Sequence, residues 1–538
     1  MPTKPTRSVE FIVLALLVCM VSVAEAATPD LRLVTAVAAQ DTQTAQALLA
    51  EGVDVNASRA DGVTALLWAA HWDDLDMTGR LLRAGANVNA ADDHGVTPLA
   101  RASENGSTAM VEKLLAAGAD ANAAQRSGLT PLMTASRTGN VVVVEALLRS
   151  GAEVNATTGE TASTALMWAV GEPHRDIVTV LLAAGADPRT STLKGFTPLM
   201  YAARNGDLET AQDLIAAGVD VNALSADGTH VLPFAVVNGQ DEFAMFLLEQ
   251  GADPNGEMGG VQALHAAAGR VNTWLSDWYR RHGRGGVYGS FFRRGNNPAS
   301  RLRLVKELLA RDADPNARIT SSAMIMSYIG LPKKGAFEPY ACGTGDLRGA
   351  TPLWVAAWGA NGAGGQVFSV RASSSESSTD IIRALLDGGA DQNLTTDDGT
   401  TAFMAAAGLG RATYTPREPR GVRSQSAEAA VALLLEEGAD INAANEADFT
   451  ALHGAAFRGL NEVIEYLVAN GADINARDFR GRTAYRMAEG SKQSFQFQSW
   501  PETAGLLKNL GANTQLGIPG TVQERLRDLP AVSTTGQP

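Results

Sequence analysis

Apolar positions along this chain recur in a fixed order. A short run of small residues is followed by a break, a Leu/Val/Ile-rich run at helical spacing, and a polar turn. Residues 450–478, TALHGAAFRGLNEVIEYLVANGADINARD, show the unit clearly. Thr450 is placed to cap a first helix, because its hydroxyl can accept a bond from a free backbone N–H. Residues 451–457 are small and apolar, which predicts a thin helix able to pack closely. Arg458-Gly459-Leu460-Asn461 breaks it, and the spacing of Val463, Ile464, Leu467 and Val468 predicts a second helix over 462–469. Gly471 stands where a left-handed residue ends a helix, and 472–476 lead away in an extended turn. Neither helix is long enough to be stable alone, so the unit requires a copy of itself on each side.

The chain supplies the copies. The helix-ending glycine recurs at Gly52, Gly85, Gly118, Gly151, Gly185, Gly218 and Gly251, in steps of 33 or 34 residues. The same turn then returns as Asp312-Ala313-Asp314-Pro315-Asn316, and at Gly389, Gly438, Gly471 and Gly511. The capping threonine keeps step as Thr64, Thr97, Thr130, Thr164, Thr197, Thr351, Thr401, Thr450 and Thr483, with His230 and Gln262 in its place in two units. Pro98, Pro131, Pro198 and Pro352 follow it directly, where a helix tolerates proline because that N–H has no partner.

A period of 33 residues carrying T-P-L-H-x-A-A, a Leu-Leu helix and G-A-D-x-N-A resembles the ankyrin repeat. Thr130-Pro131-Leu132-Met133, Thr197-Pro198-Leu199-Met200 and Thr450-Ala451-Leu452-His453 carry the resemblance, which covers residues 31–513. It implies an all-α fold, an ankyrin-repeat solenoid of about 12 helix-pair units with hairpin-like turns, interrupted by four insertions. The organisation expected is a signal peptide (1–26), an N-terminal cap with regular repeats (27–271), repeats with long insertions (272–425), C-terminal repeats and cap (426–513), and a flexible tail (514–538).

The insertions show as lost phase. From Gly251 through Asp312, Gly389 and Gly438 the steps become 61, 77 and 49 residues. The threonine landmarks put about 29, 17 and 16 extra residues between the two helices of the units opening at Gln262, Thr351 and Thr401, and about 27 in the turn before Thr351. Because stacked repeats keep register, the first three loops are expected side by side on one edge and the fourth on the hairpin edge. Residues 271–300 combine Trp274, Trp278, Tyr279, Tyr288, Phe291 and Phe292 with Arg280, Arg281, Arg284, Arg293 and Arg294. Disordered linkers are poor in aromatics, so this insertion is expected to be folded. Two readings stand: a positive patch for an acidic partner, anionic glycan or phosphate-bearing ligand, or aromatics packed on neighbouring loops with the arginines paired internally. Residues 319–348 suggest an elongated hairpin with a basic tip at Lys333-Lys334, 359–365 a flexible glycine-rich connection, and 411–426 a mobile Pro/Arg/Ser loop.

Composition narrows the function. A net charge of −14 over 538 residues argues against a general nucleic-acid binder, which needs a positive surface. Lys4 and Arg7 precede an apolar run over 11–23 and a small-x-small site, Ala24-Glu25-Ala26, the pattern of a secretory signal peptide. The expectation is a protein that is periplasmic or secreted and has no membrane segment after cleavage. The mature chain holds one thiol, Cys342, and so no internal disulfide. The seven histidines form no H-E-x-x-H pair, there is no paired-cysteine metal motif, and no nucleophile or dinucleotide fingerprint is present. No cofactor, metal or catalytic residue is assigned. His265 and His453 fall where ankyrin repeats carry a structural histidine that bonds around the turn. Asp54, Asp120, Asp220, Asp391, Asp440 and Asp473 occupy one turn position, where side-chain bonds to the backbone explain them.

The resemblance also places the variable positions of each first helix on the concave side. Trp68, His71 and Trp72 fall there, then Arg101 with Glu104, Arg137, Trp168, Tyr201 with Arg204, Phe234, Trp358, and Phe457 with Arg458. Trp, Tyr and Arg most often dominate protein interfaces. Trp68, His71, Trp72, Arg101, Trp168, Tyr201, Arg204 and Phe234, together with Arg280 and Arg281 of the first insertion, are therefore the candidate partner-binding residues. Trp358, flanked by insertions, is expected to pack internally. The leading expectation is a non-enzymatic scaffold for a protein partner. The alternative is an enzyme or small-ligand-binding protein whose site is formed by the insertions.

Overall fold

The computed structural model describes residues 30–272, 274–282, 298–321, 347–360, 375–410, 423–479, 481–490, 492–493, 496–497 and 499–517. The expected signal peptide, Cys342, the basic tip at Lys333-Lys334, most of the glycine-rich connection, most of the 411–426 loop and the tail beyond 517 lie outside them. Two compact units divide between Glu160 and Thr161.

Among its described residues the first unit has four helix pairs: α1 (Arg32–Ala38) with α2 (Thr42–Glu51), α3 (Ala65–His71) with α4 (Leu75–Arg83), α5 (Pro98–Asn105) with α6 (Thr108–Ala116), and α7 (Pro131–Thr138) with α8 (Val141–Arg149). The second begins with α9 (Ala165–Gly171) and α10 (Arg175–Ala183), α11 (Pro198–Asn205) and α12 (Leu208–Ala216), and α13 (Val231–Val237) and α14 (Asp241–Glu249). A two-stranded turn, β1 (Glu257–Met258) and β2 (Val261–Gln262), leads into α15 (Ala263–Ala268), the insertion helix α16 (Ser276–Arg281) and α17 (Pro298–Ala310). Then come α18 (Pro352–Ala360) with α19 (Ser375–Asp387), α20 (Ala402–Ala406) with α21 (Gln425–Glu436), and α22 (Ala451–Arg458) with α23 (Asn461–Ala469). The unit closes with α24 (Ala484–Gly490), β3 (Lys492–Gln493), β4 (Gln496–Phe497) and α25 (Pro501–Asn509).

The repeat logic is visible atom by atom. The capping threonine hydroxyl accepts the N–H three residues on at Thr64, Thr97, Thr130, Thr164, Thr197 and Thr401. Two residues after the cap, Leu66, Leu99 and Leu132 of the first unit are each 1% exposed; Leu166, Leu199, Leu232, Leu264, Leu353, Phe403 and Leu452 hold the same buried slot in the second. In α24 the slot passes to half-buried Tyr485, as suits a terminal repeat. Gly85, Gly118, Gly151, Gly185, Gly251, Gly389 and Gly471 adopt φ near +90° with open space where a Cβ would stand, so the backbone turn alone requires glycine there. Asp312 takes that conformation without being glycine, at φ +63°.

Adjacent repeats are stitched by polar bonds as well as by packing. Asn56 donates from Nδ2 to the Gly85 carbonyl (3.1 Å) and accepts the Asn87 N–H (2.7 Å). In the second unit Asn222, Asn255, Asn316 and Asn442 make the same pair of bonds to the following turn. The recurrent aspartates accept the N–H two residues on, as at Asp54, Asp120, Asp220, Asp391, Asp440 and Asp473. Buried His265 accepts the Gln262 N–H at Nδ1, so its Nε2–H donates to the Ala317 carbonyl (3.0 Å) of the next turn. His453 links Thr450 to the Arg482 carbonyl in the same way. Both act as turn-bonding groups, and burial pushes His265 down to about 4.

The insertion stems are ordered as register demands. The first three loops leave at the ends of α15, α18 and α20, and these helices are successive neighbours in the stack. The fourth leaves after Ser321 and returns at Leu347. Its base is closed by Ile319 N–H donating to the Ala350 carbonyl and Gly349 N–H to the Ile319 carbonyl.

Candidate protein-interaction surface

The outward positions of the first helices follow from the buried ones. With the second residue after the cap inward, helical geometry turns the fourth, seventh and eighth toward the open side. In the first unit these positions hold a three-ring cluster. Trp68 and Trp72 stack with centroids 5.9 Å apart, and His71 meets both edge-on at 5.5 and 4.6 Å. Trp68 and His71 are half-buried, whereas Trp72 is 42% exposed and anchored by its Nε1–H donating to the Ala38 carbonyl (3.2 Å). On the next helix Arg101 pairs with Glu104 at 2.6 Å, and Arg137 beyond it is exposed.

In the second unit Trp168 is half-buried on α9. On α11 the Arg204 guanidinium lies 4.9 Å above the Tyr201 ring. Burial raises the Tyr201 hydroxyl above its ordinary range, with Arg204 opposing the shift. Both side chains reach α9 at Gly171, where a Cβ would stand in ordinary contact, 3.8 Å from Tyr201 Cδ1 and 3.9 Å from Arg204 Nη2.

Phe234 is a correction. It has the same helical position as Trp68, Arg101, Trp168 and Tyr201, yet it is 1% exposed. The insertion is the cause. Trp278 on α16 lies 6.0 Å from Phe234, and Phe196 from the preceding turn closes in at 5.9 Å. Phe234 is therefore core and cannot meet a partner directly. Phe457 is likewise 5% exposed, and burial lowers Arg458 to about 10.

Trp274, Trp278 and Tyr279 of the first insertion pack inward, as do Trp354 and Trp358 of the neighbouring repeat, whereas Tyr288, Phe291, Phe292, Arg284, Arg293 and Arg294 lie outside the described residues. Trp274 donates to the Leu347 carbonyl (3.0 Å), Trp354 to that of Thr400 (3.2 Å), Trp358 to that of Gly410 (3.1 Å), and Trp278 to the Thr229 hydroxyl (2.9 Å). Trp358 also stacks on Trp354 at 6.0 Å, which is the internal packing expected for it. His282 stacks on Trp278 at 4.0 Å, donates from Nδ1 to the Trp278 carbonyl and holds Asp227 at 3.2 Å. Phe196 touches Tyr201, Phe234, Trp278 and His282 alike, so a run of rings joins Tyr201 to the helix carrying Arg280 and Arg281. Both arginines are exposed, and Arg280 pairs with Asp277 at 2.5 Å. Sequence reasoning had no signal for this junction, because Phe196 sits in a turn and is half-buried by groups far along the chain.

Beside α16 the described residues line an open cleft of about 290 Å³, formed by Gly259, Gly260, Trp274, Asp277, Trp278, Arg281, Thr320 and Ser321. Among the described residues no cluster of three or more His, Cys, Asp or Glu side chains is placed to hold a metal ion. No helix among them is long and apolar enough to cross a membrane.

Residues 33–125, 111–192, 199–274 and 370–478 match the family described as ankyrin repeats (3 copies), more than half of the chain. The protein belongs to the ankyrin-repeat family, whose repeats generally mediate protein–protein interaction. No curated protein matches the chain.

Proposed function

We propose that this protein is an exported scaffold that grips a protein partner through the outward positions of its first helices and through the face of the first insertion. The observation that supports this reading is the contrast within single helices. Leu66 and Leu199 are buried, while Trp68, His71 and Trp72 on one and Tyr201 and Arg204 on the other stay partly open. Aromatic and arginine side chains held half-open on rigid helices have little conformational entropy left to lose on binding. Arg101 adds to the set on the first unit, and Trp168, Arg280 and Arg281 to the set on the second. Export rests on the 1–26 pattern, and N-terminal sequencing of the mature protein checks it.

The test is capture followed by affinity. A photo-crosslinking residue at position 71 or 204 is expected to trap one identifiable partner, and the same residue at Val142, exposed on a second helix, to trap none. Replacing Trp68, Trp168 and Tyr201 by alanine is expected to weaken that complex with little change in melting. Collapse of the fold would mean these side chains are core.

A second reading is supported by the 290 Å³ cleft, which is near the lower end of ligand-site volumes and has an arginine, an aspartate and two hydroxyl side chains on its walls. A native mass spectrum showing a small molecule that Arg281→Ala abolishes would favour it over protein capture.

A further inference from the structure

The exposed tryptophan of the first unit stands in an unusually acidic setting. Between residues 41 and 76 there are seven carboxylates; Glu51, Asp61 and Asp76 pair with Arg32, Arg59 and Arg80, and among the described residues no arginine or lysine pairs with Asp41, Asp54, Asp73 or Asp74. Two of them share a recess with the indole: Trp72, Asp41 and Asp74 line it together with Gln40 and Thr42, over a floor of Val37, Ala69 and Met77. The recess leaves about 10 Å³ for a water-sized group.

Helix capping holds both carboxylates in place. Asp41 caps α2, accepting the Thr44 N–H (3.0 Å) and hydroxyl (2.6 Å). Asp74 caps α4, accepting the Met77 N–H (2.8 Å). An ionised carboxylate has about four acceptor sites, so each retains capacity after capping. The hydroxyl and amide of Thr44 keep the Asp41 carboxyl below its usual range, so it is charged at neutral pH. The indole of Trp72 is fixed by its bond to the Ala38 carbonyl and by stacking on Trp68.

A fixed indole beside two fixed carboxylates attracts a cation through direct charge, and the ring quadrupole adds to it over the face that does not stack on Trp68. The recess is small, which favours a compact cation over a broad one. An ammonium is a compact point charge of about the size of water, whereas a guanidinium is a broad planar fork. We propose that this recess receives the ammonium of a lysine side chain presented by a basic segment of the partner protein. The inference rests on the proposed scaffold function and names the chemistry of what docks at its first-unit face.

Calorimetric titration of the full chain with hexalysine, hexaarginine and Nε-acetylated hexalysine tests it. Hexalysine is expected to bind, hexaarginine more weakly, and the acetylated peptide not at all. Trp72→Ala, and separately the double change Asp41→Asn with Asp74→Asn, should each weaken hexalysine about tenfold. Asparagine caps a helix as well as aspartate, so the double variant keeps its fold, which its melting temperature verifies. A double variant at Glu112 and Glu145 (both to Gln) removes the same charge from second helices and should leave binding unchanged. Equal hexalysine affinity in all four proteins would show diffuse attraction and overturn the inference, as would hexaarginine binding as tightly as hexalysine. The outcome separates cleanly from that of the scaffold reading. A partner crosslinked at position 71 with no lysine effect leaves the scaffold standing and removes the recess. Site-specific lysine binding with no crosslinked partner does the reverse.

Discussion

The side-chain amide of Asn316 donates to the carbonyl oxygen of Gly389 at 3.0 Å, although 73 residues of chain separate them. Asn255 reaches the Asp312 carbonyl across 57 residues in the same way. In an uninterrupted repeat, Asn56 to Gly85, the bond spans 29. The geometry is the same while the intervening length grows about twofold at Asn255 and more than twofold at Asn316. The insertions thus leave the stack through their stems without altering how one repeat is fastened to the next.

Asn316→Ala removes this bond and the one accepted from the Asp391 N–H, and should cost about 1–3 kcal/mol. Replacing residues 361–374 by a short Gly/Ser linker should cost less than about 1 kcal/mol, since loop-closure entropy changes slowly with length. Urea unfolding of both variants checks the contrast. A greater loss from the linker than from the asparagine would mean that the loop itself holds the repeats together.

Acid should weaken the fold through His265. Burial lowers it from an ordinary value near 6.5 to about 4, so the folded protein holds it neutral while the unfolded chain protonates it first. Its contribution is fully present above pH 6.5 and is lost as pH falls toward 4. A shift of that size corresponds to about 3 kcal/mol. His453, lowered by the same burial, adds in the same direction. Stability measured from pH 7 to pH 4 should fall in the native protein and fall less steeply in His265→Gln.

Tryptophans that look alike in the sequence should behave differently on replacement. Trp354 is fully buried, so Trp354→Ala should cost about 3–5 kcal/mol and lower the melting temperature. Trp72 is 42% exposed, so Trp72→Ala should cost less, about 2–3 kcal/mol, and act on binding as well. Paired melting and affinity measurements on the two variants decide it.

Two glycines separate conformational cost from collision. At Gly85 a Cβ meets nothing, and Gly85→Ala should cost about 1–2 kcal/mol for its positive φ alone. At Gly128, also at positive φ, a Cβ would lie 2.7 Å from the Gly159 backbone nitrogen, where the N–H of Gly159 donates to the Ser127 carbonyl. Gly128→Ala should cost clearly more. Equal melting temperatures for the two variants would show that the neighbouring turns do not pack as closely as they stand here.

Much of the fold was legible because each unit is local. A capping threonine, a buried leucine two residues on and a left-handed glycine lie within one 33-residue stretch, so phase alone identifies Leu66, Leu132, Leu199 and Leu452 as equivalent. The stems of the insertions were legible by the same arithmetic. The recognition surface was less so. Tyr201 and Phe234 have one helical position and one pattern, yet the first stays half open and the second is sealed by Trp278 from an insertion.

The amino-acid order by itself therefore determined the repeat, its register and the side of each helix that turns outward, because hydrophobic burial of short helices depends on contacts within a unit and with the next copy. Only the tertiary structure decided which outward residues remain exposed. That depends on where a long loop folds back, and such long-range contacts leave no periodic trace in the chain.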